Sequence, residues 1–365
     1  MAKKIGIDGR LWNESGVGRY IRNLVLGIDA AKTEDSYFIF LTQETYGKVM
    51  FKNPKFTKVL SNSRWHTVSE QWKFKEEIER ENLDLMHFTY FSYPILYNRP
   101  FVITIHDLII DHFPTGVASS LPAPIYKLKH FGYKRIVASS VNNAKKIIVP
   151  SVATKDELID HYKAKPSKIE VIYEGFDAAI SGGKGGKLVT NKDFILYVGN
   201  AYPHKNLSVL FKAFSKLRKN YDQIELVCIG RKDFFYDRIQ SEAPEGIHFL
   251  NNVDDAALFD YYKSASLFVM PSLMEGFGLP LLEAMSLSLP VISSDTPALR
   301  EIGGDAVLYF HPHDSDELEE KITILLSDKK LSAKLIENGQ MRSRKFLWQE
   351  AVSKTIKVYE SCNSV

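Results

Sequence analysis

Cysteine is scarce in this chain, with Cys228 and Cys362 the two examples in 365 residues. Two such residues are not a disulfide framework, and no His/Cys cluster has the spacing of a zinc site. Cys228, inside the apolar run "IELVCIGR", reads as a buried structural thiol. Long apolar runs are missing as well. None approaches the ~20 residues needed to cross a bilayer. The opening "MAKKIGIDGR" enters a strand-like segment without the hydrophobic region of a signal peptide, so a cytoplasmic location is expected. A large excess of one charge is also absent: the net charge is +3, which calls for no nucleic acid. There is no internal repeat. With 45% hydrophobic and 25% charged residues, the composition is that of a globular protein rather than a disordered or membrane-spanning one.

The length exceeds what one hydrophobic core usually organises, so two domains are expected. Short apolar, β-rich runs alternate with helix-length segments along the chain. They are "KIGID", "YFIFL", "LDLMHF", "FVITIHD", "KKIIVPS" and "IEVIYEG", then "DFILYVGN", "IELVCIG", "IHFLNNV", "SLFVMPS", "PVISSD" and "AVLYF". Runs of this kind predict parallel sheets covered on both faces by helices, the doubly wound α/β architecture. Between the two sets lies "SGGKGGK", four glycines in seven residues with no apolar side chain, which reads as a mobile connection. The expected division is an N-terminal Rossmann-like domain at 1–178, a glycine-rich linker at 179–192 and a C-terminal Rossmann-like domain at 193–345. Ligands of such sheets bind outside the carboxyl ends of the strands, which points to a cleft between two facing domains. In the last helix, about 346–362, Trp348, Val352, Ile356 and Tyr359 form one apolar stripe that must pack on something, and the N-terminal domain is the expected partner.

The stretch "MEGFGLPLLEAM", 274–285, carries the most chemistry. A strand ends at Pro271, and "LPLLEAMSLS" suits a helix with Pro280 in its first turn. Between them the glycines of "EGFG" let bare backbone approach a ligand, and the N–H groups of a helix start attract an anion such as phosphate. Glu275 precedes the helix, whereas Glu283 lies near the end of its first turn, about 5 Å further along the axis. The two acids therefore face different parts of one ligand. A phosphate flanked by two carboxylates suggests hydroxyl-bearing groups on either side, a sugar and a ribose.

In the N-terminal half, "ESGVGRY" follows the first strand and opens a helix. Gly16 and Gly18 resemble the glycine loop of dinucleotide-binding proteins, but Ile21 stands where a third glycine would complete the fingerprint. "ITIHDL" places His106 and Asp107 at the carboxyl end of a buried strand, and Asp107 suits either a cap or a sugar contact. "DHFP", 111–114, begins a loop after that strand. "VDDAAL" reads as a helix start capped by Asp254. The segment "APIYKLKHFGYKRIVASSV" aligns Lys127, His130 and Lys134 beside Ile125, Leu128 and Phe131, a pattern suited to peripheral contact with an anionic membrane.

The motif "EGFGLPLLEAM", a glutamate, seven residues and a second glutamate after a "PS" strand end, closely resembles the signature of the GT-B fold retaining glycosyltransferases of family 4. "IGIDGRLWNESGVGRYIRNL", "FVITIHDLIIDHFP", "IIVPSVATKDEL", "VIYEGFD", "ILYVGNAYPHKNL", "LVCIGRKD", "PVISSDTPALREIGGDAVLYF" and "FLWQEAVSKTIKVYE" are similar to successive landmarks of its mannosyltransferase-like branch, in order along nearly the whole chain. The resemblance implies a hexosyltransferase that moves a hexose, foremost mannose, from a GDP- or UDP-linked donor to a glycan or lipid-linked glycan with retention of configuration. It implies that Glu275 holds donor-sugar hydroxyls, that Glu283 binds the ribose, and that the backbone of Phe277, Gly278 and Leu279 meets sugar and diphosphate. Lys205 would neutralise the departing diphosphate, and His106 would touch the donor sugar, with Gly16 or Gly18 close to it. Where many relatives carry a second basic residue, this chain has Asn200, which leaves His204 or Arg231 to supply that charge. No Asp-x-Asp pair occupies a metal-binding position, and Lys205 with the helix dipole makes a divalent ion unnecessary, so no metal and no cofactor beyond the donor are expected.

Three competitors share the fold class. A non-catalytic nucleotide-sugar-binding subunit is favoured by Asn200, and a dinucleotide-dependent oxidoreductase is disfavoured by the incomplete glycine fingerprint. A nucleotide-sugar epimerase or phosphorylase is separated by neither feature.

Overall fold

The computed structural model describes residues 2–65, 67–113, 123–176, 188–190 and 192–362. Most of the expected linker at 179–192, and Pro114 of "DHFP", lie outside the described residues. The chain divides into two compact units. The first takes residues up to Asp111, those from 123 to Gly175, and the C-terminal helix from Trp348. The second takes His112 and Phe113 and runs from Phe176 to Leu347.

The first unit holds a seven-stranded parallel sheet: β1 (Lys4–Asp8), β2 (Ser36–Leu41), β3 (Phe56–Leu60), β4 (Leu85–Phe88), β5 (Phe101–Thr104), β6 (Lys146–Val149) and β7 (Ile169–Val171). Their order is β3-β2-β1-β4-β5-β6-β7, and Ile5 of β1 pairs with Tyr37 on one side and Leu85 on the other. Alternation decides the two faces. Ile5 and Ile7 pack with Tyr20, Ile21, Leu24 and Ile28 of the helix Gly16–Ala30, while Met86, Phe88 and Ile103 face a second apolar cluster with Val137 and Val141. The strand β3 was not among the apolar runs. It is an edge strand carrying Thr57 and Lys58, and the Lys58 ammonium donates to the Tyr46 and Val49 carbonyls. Polar residues are what an edge strand needs to avoid pairing with another chain, so it does not read as a buried run. The C-terminal helix Trp348–Ser361 packs on the helix Gly16–Ala30 at a close approach. A β-carbon at Gly27 would lie 2.5 Å from Val352 Cγ2, so glycine is required there.

The second unit holds a six-stranded parallel sheet: β8 (Phe194–Val198), β9 (Glu225–Ile229), β10 (Ile247–Leu250), β11 (Leu267–Met270), β12 (Val291–Ser294) and β13 (Val307–Phe310). The order β10-β9-β8-β11-β12-β13 is that of a Rossmann sheet. Ile195, Leu226, Cys228 and Val269 join Leu210, Phe214 and Leu217 of the helix Leu207–Leu217 in its core. Cys228 is fully buried, and burial pushes its thiol pKa up.

Candidate active site

Each sheet reverses direction once, at β1/β4 and at β8/β11. A ligand-binding crevice opens where loops leave in opposite directions at such a point. In the second unit these are the loops Gly199–Asn206 and Pro271–Gly278, stitched together by backbone. Leu273 N donates to the His204 carbonyl at 2.7 Å, and Asn206, at φ +58, donates from Nδ2 to the Pro271 and Pro312 carbonyls. This places Lys205 Nζ 2.6 Å from Glu275 Oε1, with side chains 16% and 9% exposed. Burial opposes the Glu275 charge, but Lys205 outweighs it and holds the carboxyl below its ordinary value. Burial and the same lysine push His204 down to about 4, so it is neutral near pH 7 and supplies no second cation.

Downstream of Glu275, Phe277 turns its ring into the unit against Phe346, at 5.8 Å between centroids, so the chain enters the helix Leu279–Ser286 through backbone. Gly278 is the N-cap at φ +101, in the left-handed region that disfavours side chains, and a β-carbon there would meet Leu299 at 2.7 Å. No side chain caps this helix, and Leu279 is its first residue. Glu283, the fifth, is 5% exposed and accepts a 2.8 Å hydrogen bond from Tyr262 of the helix Asp255–Ser264, so it is a held carboxylate and not a solvated one. Asn200 follows β8; its carbonyl accepts from Tyr197 at 2.6 Å. Arg231 is exposed in the loop after β9.

In the first unit, Gly16 opens the helix Gly16–Ala30 with nothing within 4 Å of a β-carbon, whereas one at Gly18 would lie 2.6 Å from the Trp12 carbonyl. Gly18 is thus fixed by packing, while Gly16 leaves open space. His106 lies two residues beyond β5. Its Nδ1 is 3.1 Å from Glu174 Oε1, its Nε2 is 3.1 Å from the Thr89 carbonyl, and its ring meets Tyr20 edge-on at 4.7 Å. Both ring nitrogens face acceptors, so both contacts are hydrogen bonds only when the ring carries two protons. Burial alone would lower the His106 pKa; the hydrogen bond and charge of Glu174 outweigh it and raise it. The surroundings therefore favour the protonated ring beside the Glu174 carboxylate, and both of its nitrogens are engaged. Asp107 accepts from Ile109 N at 3.0 Å and so acts locally as a cap.

The family models Glycosyltransferase Family 4 and Glycosyl transferases group 1 match residues 15–180 and 184–342, between them most of the chain. The chain is a family 4, group 1 glycosyltransferase. This glycosyltransferase is 29% identical over 262 residues to the O-antigen chain mannosyltransferase RfbU of Salmonella typhimurium, covering 71% of the chain and 69% of that protein. Among solved structures, sucrose-phosphate synthase from Thermosynechococcus elongatus superposes with a TM-score of 0.79 at 19% identity, covering 98% of each chain. Anabaena Alr3699/HepE in complex with UDP-glucose superposes with a TM-score of 0.73 at 16% identity, covering 98% of this chain and 100% of that one. At these identities both show the fold, which is GT-B.

Of the residues singled out in sequence, Lys205, Glu275, Phe277, Gly278, Leu279 and Glu283 come together around one switch point, with Asn200 and Arg231 on loops of the same sheet. Gly16, Gly18 and His106 lie at the carboxyl end of the other sheet. Glu174, next to a glycine in "YEGFD", carries no local signal of its role, because its partner His106 is 68 residues away. Tyr262 was hidden in a helical pattern for the same reason. Among the described residues no group of three or more His, Cys, Asp or Glu side chains is placed to hold a metal ion.

Two histidines give stability opposite pH dependences. The His106 contribution is complete below the unfolded imidazole pKa of about 6.5 and is lost as pH rises through the raised folded value. His87, 2.7 Å from the Tyr359 hydroxyl and 2.8 Å from that of Thr104, is pushed down to about 3 by burial and then by His106. Its contribution is present above about 6.5 and is lost as pH falls towards 3. Melting temperature plotted against pH is expected to fall on both sides, and Glu174→Gln should flatten the alkaline limb while sparing the acidic one. An alkaline limb unchanged in that variant would refute the assignment.

Proposed function

We propose that this glycosyltransferase moves a hexose, mannose in the first instance, from a GDP- or UDP-linked donor to a glycan or lipid-linked glycan, with retention and without a metal. The observation that carries the reading is the buried Lys205–Glu275 pair beside the uncapped start of the helix Leu279–Ser286. The helix start and the Phe277–Leu279 backbone suit a diphosphate, Glu283 a ribose, and Glu275 the sugar hydroxyls. As the bond from the anomeric carbon to the phosphate oxygen breaks, charge builds on the departing diphosphate, and Lys205 stabilises it more in the transition state than in the ground state. The acceptor hydroxyl attacks from the same face and passes its proton to the departing phosphate oxygen, so no protein base is needed. The first unit takes the acceptor, with the His106 ring, held by Glu174 and the Thr89 carbonyl, beside the donor sugar. The mannosyl relative favours mannose, and the UDP-glucose complex of a structural neighbour favours a nucleotide sugar.

The test is incubation with GDP-mannose, UDP-glucose and ADP-glucose in EDTA, reading nucleotide release and melting temperature together. Stabilisation by one nucleotide with turnover of its sugar is expected. Stabilisation without turnover in the presence of acceptor-containing membrane extract would favour a binding subunit, the alternative that Asn200 raises.

Contact with an anionic membrane is proposed for the helix Ala123–Asn143. Ile125, Leu128 and Phe131 are exposed on it, as are Lys127, Lys134 and Arg135. His130 does not share that surface: it is half-buried and stacks between Tyr126 and Tyr133. Basic side chains around an apolar stripe suit an anionic interface. The protein is expected to float with phosphatidylglycerol vesicles at low salt, and Leu128→Glu with Phe131→Glu should leave it at the bottom of the gradient. Wild-type protein that stays in solution would remove the proposal.

A further inference from the structure

The segment between β3 and the helix Lys75–Arg80 exposes Trp65, Val68 and Trp72, at 37%, 75% and 56%. Single exposed apolar residues are ordinary on a protein surface, but three large ones within eight positions are a local concentration, called a patch here. This patch sits on a braced backbone. The Ser61 hydroxyl donates to Glu77 Oε2 at 2.6 Å, the Ser63 hydroxyl and Asn62 N donate to Glu77 Oε1, and the buried Arg10 guanidinium donates to the Ser63 carbonyl and to Glu70. The segment then winds into a π-helix, Glu70–Phe74, a local geometry frequent at functional sites. An exposed indole on a loop held by buried charges is preorganised, which cuts the cost of binding a ligand.

The indole also belongs to a row of rings. Trp65 meets Tyr90 edge-on at 6.2 Å, Tyr90 lies 6.2 Å from His106, and His106 meets Tyr20 at 4.7 Å. Trp65 follows β3, Tyr90 follows β4 and His106 follows β5, so the row runs across the carboxyl ends of the strands, where ligands of such sheets bind. A pyranose has an apolar C–H face and a hydroxyl rim. Tryptophan and tyrosine offer a flat apolar face and one polar handle, the matching shape.

We propose that the Trp65 indole, with Tyr90 standing perpendicular to it as a side wall, forms a stacking platform for the pyranose ring of the acceptor. The assignment rests on the reading that the first unit takes the acceptor, and it makes that acceptor a sugar held by its ring face. It also makes Trp65 a specificity-determining residue, since axial substituents that spoil the apolar face would be rejected.

The full chain, labelled with 5-fluorotryptophan, carries four reporters at Trp12, Trp65, Trp72 and Trp348, assigned by single Trp→Phe substitutions. Methyl pyranosides of mannose, galactose, glucose, rhamnose and N-acetylglucosamine are titrated in, with GDP- and UDP-induced melting shifts read on the same samples. At least one glycoside is expected to move the Trp65 resonance saturably while Trp12 and Trp348, both buried, stay in place. Trp65→Ala should weaken that binding about tenfold, Trp65→Phe should retain most of it, and neither should change the nucleotide shift. A Trp65 resonance unmoved by every methyl glycoside, in protein that still shows the nucleotide shift, overturns the platform and leaves the donor reading standing. Movement with octyl but not methyl glycosides overturns it equally, by assigning the patch to an alkyl chain. Loss of the nucleotide shift in wild type would count against the donor reading instead.

Discussion

Lys205→Met is expected to reduce sugar transfer about a thousandfold, the scale of losing a preorganised group that meets charge developing in a transition state. The same substitution is expected to destabilise the second unit, because Glu275, with 9% of its side chain exposed, loses the partner that offsets its burial. Breaking one side of a buried pair costs about 3 kcal/mol or more. Activity could then vanish for the trivial reason that the site has collapsed. The double variant Lys205→Met with Glu275→Gln separates the two effects. Removing both charges removes the uncompensated carboxylate, so the melting temperature should recover most of the loss. Transfer should not recover, since the diphosphate still departs without its cation. A double variant that regains transfer along with stability would show that the pair only braces the loops. Lys205→Arg provides the remaining control: it preserves charge but not the reach of an ammonium, and intermediate activity is expected.

What could be read in advance was governed by how local the signal is. Apolar strands announce themselves as runs, and all six of the second sheet were visible that way, from "DFILYVGN" to "AVLYF". In the first sheet β3 escaped because an edge strand is half polar. The positions of Lys205, Glu275, Glu283 and His106 near strand ends and helix starts were legible from glycines, prolines and apolar boundaries. Their partners were not. Lys205 and Glu275 read as two separate ligand contacts, and the ion pair between them joins residues 70 apart. Glu283 read as a carboxylate open to a ligand, and its Tyr262 hydrogen bond spans 21 residues. The basic stripe on the helix Ala123–Asn143 lost His130 because aromatic stacking, which helical spacing does not register, turned it inward. Periodicity reports which face of an element is buried. It does not report which polar group on another element completes it.

The clearest case of such an invisible partnership is Arg10, and its removal is expected to be the most destabilising substitution in the first unit. Arg10 follows β1, where "IDGR" gave no hint of a core position, yet its side chain is 2% exposed. It donates from Nε and Nη2 to both oxygens of Asp8, at 2.9 and 2.7 Å, and from Nη2 to Glu70 Oε1 at 2.7 Å. Its guanidinium lies 3.4 Å over the Phe74 ring. Burial opposes the charge, and Asp8 and Glu70 more than offset it, so the arginine stays a cation. The remaining acceptor capacity is also used: the Arg10 amide donates to Asp8, and the Ser92 hydroxyl donates to Glu70 Oε2 at 3.0 Å. Arg10→Ala leaves two buried carboxylates facing each other without a cation and forfeits the packing on Phe74. A loss of about 3–5 kcal/mol is expected, enough to lower a melting transition of a unit this size by about 10 °C. Arg10→Lys retains the charge but one ammonium cannot reproduce the fork, so it should recover less than half. Because Arg10 also holds the Ser63 carbonyl, Trp65 fluorescence should become more accessible to acrylamide before global unfolding in Arg10→Lys. A melting temperature within 2 °C of wild type in Arg10→Ala, about the spacing of a surface substitution, would mean that the carboxylates find water or protons instead. Glu70→Gln in the same background decides that point, since it should stabilise Arg10→Ala only if two unpaired charges are what the variant suffers from.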